Sequence, residues 1–155
     1  DLDPGIFNYL VSKGYTPETI DSIINKKSGL LGISGSSNDM RTLESLAAQG
    51  DKKATLAMDI FCFKVAKSIA AMLVSLSQID GLIFTGGIGE NSVLVREKIV
   101  EQLFLLGFEI DANLNKNIGR PAKTSSHIAT PESHNILVIP TDEEVMIVRD
   151  TLELV

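Results

Sequence analysis

The chain is 155 residues long, 44% hydrophobic, and carries a formal net charge of −6 at pH 7 with a single cysteine. That length suits one domain with a substantial core. Acidic residues are scattered, no basic stripe is present, and the longest uncharged run, residues 68–79, is too short to span a bilayer, so nucleic-acid and membrane partners are set aside.

Residues 1–80 read as helical throughout. Asp3-Pro4 places an N-cap before a proline at the first helical position, predicting a helix through Tyr9 and Leu10 to Gly14. Thr16-Pro17-Glu18 repeats the device and predicts a second helix ending near Lys26-Lys27, where cations suit the dipole. Residues 29–39 read as a Gly/Ser loop with a short apolar centre of Leu30, Leu31 and Ile33. A brief helix over residues 40–48 stops at Gly50. The longest helix is predicted over residues 52–77, with Ala54, Met58, Phe61, Cys62, Val65, Ile69, Met72, Leu73 and Leu76 on one broad face. Leu56, Ile60, Phe63 and Val74 occupy the other half, which predicts a central helix packed on both sides. Cys62 sits in this apolar run and reads as a small core residue in a reducing compartment. The opening residues lack the pattern of a secretory leader, so a cytoplasmic location is expected.

After Asp80 the pattern alternates. A strand over residues 82–85 leads to a helix over residues 92–106, stopped at Gly107, and then to extended residues 108–110. Residues 111–126 read as a loop with at most a helical turn, and residues 127–130 as a short edge strand. Residues 135–140 form a strand and residues 141–154 a helix. The alternation predicts an α/β layer. Four short strands are few for at least five helices, so further strands are expected upstream in a longer protein. His127 and His134 flank a polar turn without metal-pair spacing and receive no role.

The junction Phe84-Thr85-Gly86-Gly87-Ile88-Gly89-Glu90-Asn91-Ser92 carries the most chemistry. Glycines let a ligand approach where a Cβ would block it, and the following helix offers unpaired N–H groups to an anion. The run lacks the Lys-Ser/Thr of a Walker A loop, and Ser92 stands where a dinucleotide fingerprint needs a third glycine. Taken alone, an ordinary tight βα turn outweighs a phosphate cradle, with Asn91 and Ser92 as candidate N-caps. Thr141-Asp142-Glu143-Glu144 fits a capping box, with Thr141 as the N-cap and Glu144 reaching back.

Asp1-Leu2-Asp3-Pro4-Gly5, Lys27-Ser28-Gly29-Leu30-Leu31-Gly32-Ile33-Ser34-Gly35, Asp39-Met40-Arg41, the glycine junction and Ile139-Pro140-Thr141-Asp142-Glu143-Glu144 follow one another along the chain. Their order and spacing resemble the C-terminal domain of the acetate kinase family, with propionate kinase a close relative, over essentially the whole chain. The resemblance implies a ribonuclease H-like α/β fold of the acetate and sugar kinase/Hsp70/actin superfamily. It implies one nucleotide-binding domain over residues 1–155, with a helical subregion 1–80 and an α/β subregion 81–155. The activity implied is reversible, Mg²⁺-dependent transfer of phosphoryl from ATP to acetate, giving acetyl phosphate and ADP. Gly87, Ile88, Gly89, Glu90 and Asn91 match the family's nucleotide turn, and Asp39, Met40 and Arg41 match a segment near ribose and adenine. Glu143 matches the magnesium-associated glutamate. The family dimerises through this region, which implies a homodimer.

The family's catalytic arginine lies in a Thr-Arg-Ser-Gly run before the segment matching residues 1–5, so no catalytic residue is expected in this chain. Arg41, Arg96, Arg120 and Arg149 match none of the family's catalytic positions. The expectation is a piece of a longer kinase that holds nucleotide but is inactive alone. The alternatives are a propionate kinase, or a non-catalytic nucleotide-binding or oligomerisation module.

Overall fold

Helices dominate the computed structural model, which describes residues 2–118 and 124–154. The chain divides into two compact units, Asp1–Phe61 and Cys62–Val155.

In the first unit α1 spans Gly5–Ser12 and α2 spans Pro17–Ser22, continued by a π-helical turn over Ile23–Lys27. Thr16 caps α2 by accepting from the Thr19 N–H at 3.3 Å, and Ile20 is fully buried. The stretch read as a Gly/Ser loop is instead a helix, α3, over Gly29–Ser34. Its small residues are packing devices: a Cβ on Gly32 would stand 2.9 Å from the Lys27 carbonyl oxygen, so only glycine lets α3 turn this tightly against the preceding π turn. The buried Ser34 hydroxyl then accepts from the N–H groups of Ser36 and Ser37, closing the helix exit. The next helix, α4, runs Met40–Ala48 and buries Met40 and Leu43.

The 22-residue α5 spans Lys52–Leu73, ending before the predicted residue 77. It is not packed on both sides. Ala54, Ala57, Met58, Cys62 and Ala66 form one buried stripe, whereas Leu56, Ile60, Phe63 and Met72 are exposed and Val74, beyond its end, is 87% exposed. Apolar content around the helix exceeds what the described residues cover.

In the second unit β1 (Gly81–Phe84) pairs in parallel with β3 (Asn135–Val138), and β2 (Ser126–His127) pairs antiparallel on the other side of β3. The order β1-β3-β2 places β2 at an edge, as expected. Between the parallel strands come α6 (Gly86–Asn91), α7 (Val93–Glu101), a 3₁₀ turn over Phe104–Leu106 and α8 (Ala112–Lys116). Phe84, Ile136 and Val138 of the sheet are buried, as are Val95, Ile99, Val100 and Leu103 on the helical side. The Cys62 thiol, 2% exposed, donates to the Val95 carbonyl at 4.0 Å. Ile110 makes an isolated bridge with Ala129, and Asp111 caps α8, so the expected helical turn within residues 111–126 is realised. Arg120 lies outside the described residues.

The last helix, α9, covers Glu143–Glu153. Its cap is Asp142, which accepts from the Val145 N–H at 3.0 Å. The capping box with Thr141 and Glu144 is therefore not formed, because Thr141 is engaged elsewhere. Among the described residues α9 has no buried side chain. No helix of the described residues is long and apolar enough to cross a membrane.

Candidate functional site

The site grows from the ends of two strands. Phe84 pairs with Val138 at the carboxyl ends of the parallel β1 and β3, and the Ile139 N–H extends the ladder to the Phe84 carbonyl at 2.9 Å. From β1 the chain enters α6 after one residue, and from β3 it enters α9 after residues 139–142. Two helices thus leave the carboxyl ends of adjacent parallel strands, where open α/β sheets place their ligand crevices.

The glycine junction is itself wound into helix, not left as a turn before one. Gly86 supplies the change of direction at φ +72°, a conformation that costs any residue with a Cβ about 1–2 kcal/mol. Gly89 packs against the Phe84 backbone, where a Cβ would lie 3.4 Å from the carbonyl carbon. A Cβ on Gly87, in contrast, would meet nothing within 4 Å. Gly87 and Ile88, both exposed, stand in the first turn, where N–H groups lack an i−4 acceptor. Ser92 breaks the helix and caps α7 by accepting from the Val95 N–H at 3.1 Å. Of the two candidate caps, Ser92 serves; Asn91 instead donates from Nδ2 to the Gly87 carbonyl at 2.9 Å.

Glu90, 8% exposed, concentrates its bonds on one atom. Oε1 accepts from the Gly86 N–H at 2.8 Å, the Thr141 N–H at 2.8 Å and the Thr141 hydroxyl at 2.9 Å. The Thr141 amide, more than its hydroxyl and the Gly86 amide, holds this carboxyl below the usual glutamate range against the upward push of burial.

The opposite end of α6 is held by a residue that motif reading passed over. Arg96, 1% exposed, donates from Nη1 to the carbonyls of Gly89 at 2.8 Å and Glu90 at 2.9 Å. Its Nε and Nη2 reach Asn115 Oδ1 at 2.7 Å and the Asn115 carbonyl at 3.2 Å. A cation on carbonyl oxygens at a helix C-terminus is favoured by the dipole. The signal was present in the sequence: Arg96 lies three, four and seven residues before the buried Ile99, Val100 and Leu103, so helical spacing puts it on the core face.

Asp39, Met40 and Arg41 belong to the first unit, and residues 87–91 and 143 to the second. Asp39 caps α4, accepting from the Arg41 N–H at 2.9 Å, and pairs with the Arg41 guanidinium through Nε at 3.1 Å and Nη2 at 2.6 Å. Those guanidinium bonds first, and the Arg41 amide second, lower the Asp39 carboxyl to about 2. The Arg41 side chain is 90% exposed and, with Asp39, Thr42, Ser45 and Leu46, lines a shallow depression. Met40 is buried.

Glu143 is exposed as the first residue of α9. Among the described residues no three His, Cys, Asp or Glu side chains converge on a metal cage. One open carboxylate is compatible with Mg²⁺, which keeps several waters and is often bound through one or two carboxylates together with substrate phosphates. His127 pairs with Asn135 Oδ1 at 3.2 Å, and His134 packs on Phe108 with ring centroids 5.4 Å apart.

A family model described as the acetokinase family matches residues 1–149. The chain is 49% identical to acetate kinase of Ectopseudomonas mendocina and 48% identical to acetate kinase 2 of Neisseria meningitidis, over 99% and 100% of its own length. It spans 39% of the length of each of those relatives. Among solved structures, a propionate kinase from Francisella tularensis superposes with a TM-score of 0.85 at 44% identity, over 95% of this chain and 37% of that one. Acetate kinase of Porphyromonas gingivalis gives a TM-score of 0.86 at 37% identity, over 99% of this chain and 38% of that one.

Proposed function

This chain belongs to the acetokinase family, and on that footing we propose that it supplies the nucleotide and metal side of a kinase that phosphorylates acetate. The observation that carries this reading is the pair of helices, α6 and α9, leaving adjacent parallel strands with the open Gly87 turn on one and the exposed Glu143 on the other.

In this reading a carboxylate oxygen of acetate attacks the γ-phosphorus of ATP. The bond to the β–γ bridging oxygen breaks, and acetyl phosphate and ADP are formed. Chemistry of this kind depends on positioning and charge neutralisation. The N–H groups of residues 87–89 and the Asn91 amide hold the phosphates and adenosine, and the Asp39–Met40–Arg41 segment takes the ribose and adenine. Glu143 holds Mg²⁺ through water, and the bound ion supplies neutralisation of phosphate charge. The acyl side of the reaction is assigned to no residue of this chain. The buried Cys62 suits a reducing cytoplasm. A homodimer is supported by the exposed apolar side chains of α1, Ile6, Phe7, Tyr9 and Val11.

Calorimetric titration with Mg-ATP tests the reading: binding is expected, and Asn91→Ala should abolish it. A stable dimer by ultracentrifugation with no nucleotide binding would favour an oligomerisation module instead. The likeness to a propionate kinase favours a second acceptor. A chain of the relatives' full length carrying these residues should be assayed with both carboxylates.

A further inference from the structure

The position of α9 needs an explanation, because none of its side chains is buried among the described residues. Packing along its length does not fix it. Its root does: Thr141, two residues before Glu143, is bound through both its N–H and its hydroxyl to Oε1 of Glu90. The same oxygen takes the Gly86 N–H, the first of the glycine helix. Glu90 is in turn fixed from behind, since its carbonyl accepts from the buried Arg96.

Resting on the nucleotide and metal reading above, we propose that Glu90 is a positioning residue whose single buried oxygen locks α9 to α6 and so sets where Glu143 stands relative to the phosphates on the glycine turn. Its carboxylate does not itself contact nucleotide. Glu90 reaches the ligand through Thr141 and Glu143. The contact spans 51 residues of sequence, so it ties together two segments that the strand ends alone bring near each other. A threonine suits the junction because its hydroxyl adds a second donor beside the amide, fixing direction as well as distance.

The test separates metal-dependent from metal-independent binding in the whole protein. ADP affinity is measured by calorimetry with and without Mg²⁺, in the parent, Thr141→Val and Thr141→Ser. Thr141→Val keeps the amide and the shape but removes the hydroxyl donor. It should leave metal-free ADP affinity within about twofold and cut the gain conferred by Mg²⁺ by about tenfold, the loss of one charge-assisted hydrogen bond. Thr141→Ser should restore the gain. Amide exchange in Glu90→Leu, which removes the acceptor, gives a ligand-free readout: Gly86 and Thr141 should lose protection together. An unchanged Mg²⁺ gain in Thr141→Val overturns the proposal while leaving the nucleotide reading intact, as does an equal loss with and without metal. Absence of ADP binding in the parent overturns both.

Discussion

Arg96 and Asn115, two fully buried polar side chains, are joined by an Nε to Oδ1 hydrogen bond of 2.7 Å that ties α7 to α8. Asn115 also donates from Nδ2 to the Val93 carbonyl at 3.1 Å and to Glu97 Oε1 at 3.3 Å. Removing the guanidinium would strand the carbonyls of Gly89, Glu90 and Asn115 without their donors. Arg96→Ala should therefore destabilise the fold by about 3 kcal/mol or more. Arg96→Lys should recover only part of this, because an ammonium cannot reproduce the fork. Urea unfolding midpoints measure both.

The adjacent glycines should behave in opposite ways. Gly86→Ala forces a Cβ into φ +72° and should cost about 1–2 kcal/mol. Gly87→Ala places its methyl in open space and should leave stability within about 1 kcal/mol of the parent. The same Gly87→Ala should weaken Mg-ATP binding, because the methyl occupies the approach to the first-turn amides. Thermal melting and calorimetry on the pair would separate fold from ligand. Equal affinities of Gly87→Ala and parent would argue against phosphate at this turn.

The Asp39–Arg41 pair gives a pH signature. The folded carboxyl is lowered to about 2, below the roughly 3.9 of an unperturbed aspartate. The stabilisation it confers is present above the unfolded value and is lost as pH falls from there through the folded one. NMR titration of the Asp39 carboxyl should show a midpoint near the folded value. Arg41→Ala, which removes the first cause of the shift, should return it toward the ordinary range. Glu90 carries the same sign for a different reason, the amide of Thr141. Its contribution is likewise lost on acidification.

Glu143→Gln removes charge from an exposed side chain that no packing depends on. Stability should change by no more than about 0.5 kcal/mol. The Mg²⁺-dependent part of nucleotide affinity should fall while the metal-free part is retained. A variant whose Mg²⁺ dependence matched the parent would remove Glu143 from the metal reading.

Local chemistry was legible where local chemistry decides. The helix over Met40–Ala48 is legible to the residue: Gly50 stops it in the sequence, and the structure adds Asp39 as its cap. Gly107 ends the run after α7 with φ +80° for the same reason. Residues 29–34 read as loop because glycine and serine signal loops by composition, whereas Gly32 is required by a carbonyl five residues back. Thr141 has the right type and spacing for an N-cap, but a carboxylate 51 residues away takes its hydroxyl and passes the cap to Asp142. Arg96 was visible as a position on the buried face of α7, but its acceptors are backbone carbonyls, which leave no mark in a sequence. Nothing local in the glycine run reveals that Gly86 and Gly89 are held by the fold while a Cβ on Gly87 would meet open space.

Cys62, the only cysteine in the chain, lies 2% exposed with its thiol directed at the Val95 carbonyl of α7. A thiol reagent reaches it only when the packing around it opens. Each labelling event then counts one opening of the core in which α5 meets Val95, so the chain holds its own clock for local unfolding, readable by mass without any engineered probe.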